Sequence, residues 1–141
     1  MAVVLHTPNK SAFVLCIAFL ALLLSACDEL VFTQGEMEAK RKYEAVKRGH
    51  SRQAVADALG TPAFELVLDK KRMKYRYVDA TGKQAELDGS KGSPPDAPPE
   101  LRFLPKGLSA SRVLVYSAGT VFGYVALTDQ DVVDSVTVVV S

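Results

Sequence analysis

Hydrophobic residues follow three rhythms along this chain. From Ala12 to Leu24 they form an almost unbroken run, from Glu36 to Leu59 they recur at helical spacing, and from Phe64 onward they alternate or gather in short clusters. The first run is shorter than the roughly 20 residues a helix needs to cross a hydrocarbon core, so an export signal's apolar segment is the better reading than a retained transmembrane helix. The second rhythm predicts a helix over Glu36 to Lys47, because Ala39, Tyr43 and Val46 fall at i, i+4 and i+7 between charged residues. That helix is expected to end near Gly49. A second, short helix follows, with Ser51 as N-cap, Val55 and Leu59 one turn apart on its buried side, Gly60 past its end and Pro62 blocking continuation.

The third rhythm predicts strands. Arg72 to Tyr77 alternates, which places Met73, Tyr75 and Tyr77 on one face and Arg72, Lys74 and Arg76 on the other. Phe64 to Leu68 is a shorter run for which helix and strand are hard to separate. Three β-branched and aromatic runs close the chain, Arg112 to Tyr116, Val121 to Thr128 and Val132 to Val140, with Asp129-Gln130-Asp131 as the last turn. Gly123 inside a strand suggests a bulge or a close backbone approach. Between them, residues 80–107 turn to Gly, Ser, Lys and Pro, including Pro94-Pro95 and Pro98-Pro99, and read as an exposed loop. The expected fold class is α+β: two N-terminal helices packed on a three- to five-stranded antiparallel sheet, whose other face is partly wet.

The residues around the apolar run say where the chain works. Lys10 precedes it, and Leu24-Ser25-Ala26-Cys27 closes it, the order of an n-region, an h-region and a small-residue cleavage site. Leu24-Ser25-Ala26-Cys27 resembles the lipobox of bacterial lipoproteins. That resemblance implies removal of residues 1–26 and a diacylglycerol on the Cys27 thiol, with further acylation of the new amino group. Several acyl chains, at about 0.8 kcal/mol per buried CH2, hold a protein on a membrane without a spanning helix. The implied layout is a signal peptide over 1–26, a lipidated tether over 27–35 and a domain over 36–141. Asp28 directly after the cysteine resembles an inner-membrane retention signal, so the choice of membrane stays open.

Charge and cysteine content narrow the picture further. The chain has 17 Lys plus Arg and 16 Asp plus Glu, and Lys10 leaves with the signal, so the remainder is formally neutral. Cys16 lies in the same discarded segment, which leaves a domain of about 115 residues with no disulfide. Eleven cations face four acids between Lys40 and Arg76, an asymmetry that fits an ordinary solvated face or a weak preference for anionic lipid. Nucleic acid is not an expected partner in this compartment.

Val46-Lys47-Arg48-Gly49-His50-Ser51 and its continuation to Leu59-Gly60-Thr61-Pro62 resemble the signature of the SmpA/OmlA family of small outer-membrane lipoproteins. The matching positions Gly49, Val55, Leu59, Gly60 and Pro62 are structural: they cap a helix, pack it and reverse the chain. The resemblance implies an ααβββ order, an outer-membrane location and a non-enzymatic role as scaffold or assembly accessory for an envelope protein complex. A periplasmic inhibitor or small-ligand-binding lipoprotein, or a secretion-system pilot, is the competing expectation.

Catalytic chemistry is not expected. His6 falls in the signal, which leaves His50 alone, with no second histidine or unlipidated cysteine to complete a zinc site or a Cys/His pair. Asp129, Asp131 and Asp134 lack the glycine and distal glutamate of a calcium loop and read as turn residues. Ser109, Ser111 and Ser117 have no base near them in the pattern. No cofactor is expected beyond the covalent lipid. The candidate contact surface is the basic stripe Arg72, Lys74 and Arg76, facing lipid head groups or an acidic partner protein.

Overall fold

The computed structural model describes residues 32–141 apart from 80, 89–92 and 94. The signal segment, the lipobox Leu24-Ser25-Ala26 and Cys27 lie outside the described residues. Gln34–Ser141 forms a compact unit of its own.

Helix α1 spans Gln34–Ala45 and helix α2 Arg52–Leu59. The stripe on α1 behaves as its spacing implies, since Tyr43 and Val46, the latter just past the helix, are buried. Ser51 caps α2 as expected: its backbone is extended and its hydroxyl accepts from the Ala54 N–H at 3.1 Å. At the other end Gly60 adopts φ +77°, a conformation an L side chain resists, and its N–H closes on the Ala56 carbonyl. Ser51→Ala is therefore expected to destabilise the domain by about 1 kcal/mol in urea unfolding, with Ser51→Asp close to wild type.

Six strands follow: β1 Phe64–Asp69, β2 Lys74–Val78, β3 Gln84–Leu87, β4 Arg112–Ala118, β5 Val121–Leu127 and β6 Val133–Val140. They make one sheet in the order β3-β2-β1-β4-β5-β6, antiparallel throughout, so two meanders are joined where β1 pairs with β4. The expected fold class is thus overturned. The sheet has six strands rather than three to five, and a third short helix, α3 Pro99–Arg102, falls between β3 and β4, which an ααβββ order does not contain. The unexpected strand is β3, whose four residues sit opposite β2 as Tyr75↔Leu87 to Val78↔Gln84.

Antiparallel alternation divides the side chains between two faces. The lid face carries Phe64, Leu66 and Leu68, Tyr75 and Tyr77, Leu87, Val113 and Val115, Phe122 and Tyr124. It is covered by the β3–β4 connection, which must cross from the sheet's edge back to its centre. Ala97, Leu101 and Leu104 of that connection are buried there. The expectation of an exposed loop over 80–107 is therefore corrected: Gln84–Leu87 is a strand, and the leucines among the prolines of residues 95–107 close over the sheet. The helix face carries Leu114, Tyr116, Val121, Gly123, Val125 and Leu127, with α1 lying over β5 and β6.

Two smaller differences have local causes. Met73 is 55% exposed rather than on the tyrosine face, because Lys70 to Met73 form the β1–β2 turn and Met73 takes φ +53°. Asp69 organises that turn, its Oδ1 accepting from the Lys71 N–H at 3.1 Å. Gly123 marks a close approach: a Cβ there would lie 2.8 Å from the Tyr43 ring. The bulge falls instead at Ala126/Leu127.

Candidate functional site

The helices cover only part of their face. Val55 of α2 is fully buried, the Tyr43 ring lies 6.0 Å from that of Tyr116, and the Tyr116 hydroxyl donates to the Gly60 carbonyl at 3.2 Å, all over β4 and β5. On the β1–β2–β3 half, alternation places Glu65, Val67, Arg76, Val78, Gln84 and Glu86 on the same face, with no covering helix or strand among the described residues. Val78 is 56% exposed there, an apolar residue held in the open by a rigid strand.

Two open depressions meet on this half-face. One, of about 360 Å³, is lined by Glu65, Val67, Arg76, Val78 and Gln84. The other, of about 660 Å³, runs between α2 and the sheet, with Arg52, Asp57, Thr61, Leu114 and Tyr116 on its walls. Glu65 and Val78 belong to both, so the two form one continuous groove. It is wide and shallow, with an apolar floor and charged walls.

An ion-pair network fixes one wall. Glu65 accepts from Arg52 at 2.9 Å through one carboxylate oxygen and from Arg112 at 2.6 Å through the other. Asp131 stands 3.9 Å from both guanidinium groups. Four residues from α2, β1, β4 and the last turn are thereby tied together. Sequence reading missed this network, since Glu65 interrupts an apolar run and Arg112 opens another. The signal available was that each is a lone charge at a half-buried strand position.

The predicted contact residues share this side of the sheet but do not act as a uniform basic stripe. Arg72 leaves the strand for the turn and makes a two-pronged pair with Glu86, at 2.6 and 3.0 Å, which also raises its already high pKa. Lys74 opens β2 opposite Asp69, and Arg76 lies opposite Glu86 while lining the groove. The surface is mixed in sign, so an acidic partner is not specially favoured. Of the structural positions, Gly49 takes φ +92° and its N–H donates to the Val133 carbonyl, while Pro62 lines the groove and Leu59 is half-buried.

The remaining candidates do not converge on a reaction. The His50 Nδ1 accepts from the Lys47 N–H at 3.2 Å, closing the link between the helices. Each acid of the final hairpin meets its own cation: Asp129 with Lys70, Asp131 with Arg52 and Arg112, and Asp134 with Arg48. Ser111 donates to Asp129, and this bond together with Lys70 holds the Asp129 carboxyl below the usual carboxylate range. A carboxylate so stabilised is a poor base for that hydroxyl. Burial pushes the Tyr124 hydroxyl upward, and it donates to the Glu100 carbonyl at 2.5 Å. Among the described residues no group of three or more His, Cys, Asp or Glu is placed to hold a metal ion, and no helix is long and apolar enough to cross a membrane. No family model, curated protein or solved structure matches the chain.

Proposed function

We propose that this chain is a lipid-anchored envelope lipoprotein whose folded domain is a non-enzymatic scaffold or assembly accessory, docking a partner protein on the uncovered half of its helix face. The observation that carries the reading is the continuous groove along β1, β2 and α2, with Val78 exposed on its floor. A rigid sheet edge-to-edge with a helix offers shape and a few apolar contacts, and the Arg52–Glu65–Arg112 pairs hold its wall in place. Such a surface suits recognition of another protein better than enclosure of a small molecule, for which a concave site would bury most of the ligand.

The membrane part of the reading rests on Leu24-Ser25-Ala26-Cys27, and the assembly role on the resemblance of Val46 to Pro62 to SmpA/OmlA lipoproteins. Membrane fractionation of wild type and Cys27→Ala tests the anchor. The wild type is expected in the membrane pellet with a mass matching acylated residues 27–141, and Cys27→Ala in the soluble fraction or retained as precursor. Identical mass and fractionation of the two would remove the anchor. A photo-crosslinking residue at Val78 tests the groove: a discrete adduct with one envelope protein is expected, reduced by Glu65→Lys. Adducts with lipid alone would replace the docking role with a membrane-facing one. Whether the adduct is found in inner or outer membrane fractions decides between the Asp28 signal and the family expectation.

A further inference from the structure

Among the described residues nothing pairs with the outer edge of β6 beyond its start, and its hydrogen-bonding pattern can be read residue by residue. Ser141 donates its N–H to the Thr120 carbonyl at 2.9 Å, so residue 141 points its N–H toward β5. Orientation alternates along an antiparallel strand, which turns the N–H and C=O of Val136, Val138 and Val140 away from β5. At the strand's start the outward groups are occupied, since Val133 pairs with Gly49 and His50. From Val136 to Val140 no backbone group of the described residues pairs with them.

Edge strands in soluble proteins are ordinarily blunted by charge, proline or a covering element. Ser135 to Ser141 contains no charged residue and no proline, and five of its seven residues are β-branched. Its faces are also apolar. Val139 packs against the lid-face core, where Phe103 stacks on Phe122 at 5.4 Å and remains 41% exposed, as is Val140 on the other face.

We propose that β6 is a self-association edge, pairing antiparallel with β6 of a second copy about a two-fold axis through Val138. The register follows from the alternation. Outward-pointing residues must face each other, so Val138 meets its own copy and Val136 meets Val140, and these pairs together supply six inter-chain backbone hydrogen bonds. Between them Thr137 meets Val139, so every side-chain pair across the seam from 136 to 140 is β-branched against β-branched, a favourable cross-strand combination. Asp134 pairs with Arg48 of its own copy and lies outside the 136–140 seam. Helix α1 does not obstruct the seam. It lies over β5 and β6, and with strands about 4.8 Å apart its two copies stand about 10 to 14 Å apart, at or just beyond helix-packing distance. The product is a continuous twelve-stranded sheet. Its two grooves lie at the far ends, beyond β4 of each copy, so dimerisation leaves both open. The inference does not depend on the lipid anchor or on the groove's partner.

Disulfide trapping tests the register in the full chain, in the cells that express it. Thr137→Cys and Val139→Cys are expressed separately and together, oxidised mildly and run without reductant. Opposed at a non-hydrogen-bonded pair, residues 137 and 139 of two copies lie about 4.5 Å apart between Cα atoms. Each residue lies about 8 Å from its own copy, beyond disulfide reach. A band of doubled mass is therefore expected in the co-expressed sample, at least about tenfold stronger than in either sample alone. Cys16 and Cys27 are common to all three samples and cannot produce that difference. Val140→Lys, placed in the same co-expressed pair, is expected to remove the band while leaving the folded domain's thermal midpoint near its former value. Equal bands in all three samples, no band in any, or trapping to a different protein would each overturn the proposal, the last in favour of a foreign strand on the same edge.

Discussion

Leu101→Ala is expected to destabilise the domain by about 2–5 kcal/mol, as large a loss as any core leucine gives. Leu101 is fully buried on the lid face, beside Leu104 and Ala97, and its short helix is pinned by the Tyr124 hydroxyl on the Glu100 carbonyl and by Ser93 on the carbonyl of Leu101 itself. Truncation leaves a cavity between α3 and the sheet that the prolines on either side hinder from collapsing. Urea unfolding followed by far-UV circular dichroism measures the loss. A loss within about 0.5 kcal/mol, the usual effect of a surface substitution, would mean that the connection does not close the core. Tyr124→Phe is expected to lose less, about 1 kcal/mol or somewhat more, by removing one hydrogen bond while keeping the ring.

Gly123→Val should release α1 from the sheet. A Cβ at position 123 would lie 2.8 Å from two atoms of the Tyr43 ring, and the neighbour is an aromatic body, not the end of a flexible chain. Either the ring or the whole helix must move, which costs about 1–3 kcal/mol. The helix has a second attachment to lose: Glu36, buried near the Gly119 turn, accepts from the Thr120 N–H at 2.9 Å and from its hydroxyl at 3.2 Å. Limited proteolysis is expected to cut Gly123→Val between α1 and α2, near Lys47 and Arg48, at protease levels that leave wild type whole. The decisive control is Tyr43→Ala. If the clash is the cause, the double variant falls short of the sum of the singles by about 0.5–3 kcal/mol, whereas strict additivity would place the damage elsewhere.

The elements that sequence made legible are those with strong local signals. Ser51, Gly60 and Pro62 bracket α2 because caps and chain reversal are decided within a turn, and the last three runs became β4, β5 and β6 because β-branched and aromatic residues are dense in each and neither proline nor a charge run interrupts them. What escaped was decided at a distance. Gln84–Leu87 has one large apolar residue in four, and only the register against β2 makes it a strand. Leu101, Leu104 and Leu108 keep a helix-like spacing, but Pro and Gly around them carry the stronger local message, and only the crossing from β3 to β4 requires that they cover a sheet. Met73 continued a faultless alternation yet fell in a turn, since pairing of Asp69 with Lys74 set where the chain reversed. The groove was the least legible of all. It exists because two short helices cannot span six strands, a matter of area that no motif records. Lys74 and Arg76 on its side were visible as charges, whereas the acids opposite them came from other strands.

The joining of two meanders along β1 and β4 also sets an order of events during synthesis. The strands β1, β2 and β3 can pair as soon as Leu87 is made, but the other side of β1 waits for its partner, because Phe64 pairs with Val115 and Val67 with Arg112. At about 5–20 residues per second, the interval between Leu87 and Val115 is about 1–6 seconds. Throughout it the nascent meander displays an unpaired β1 edge and a lid face bare of Leu101 and Leu104. Arrival of residues 99–115 closes both together, since the same stretch carries the lid and then delivers β4. A chain interrupted before Val113 is thus a species with two sticky surfaces and no means of hiding either, the natural substrate of a holding chaperone rather than a smaller stable domain.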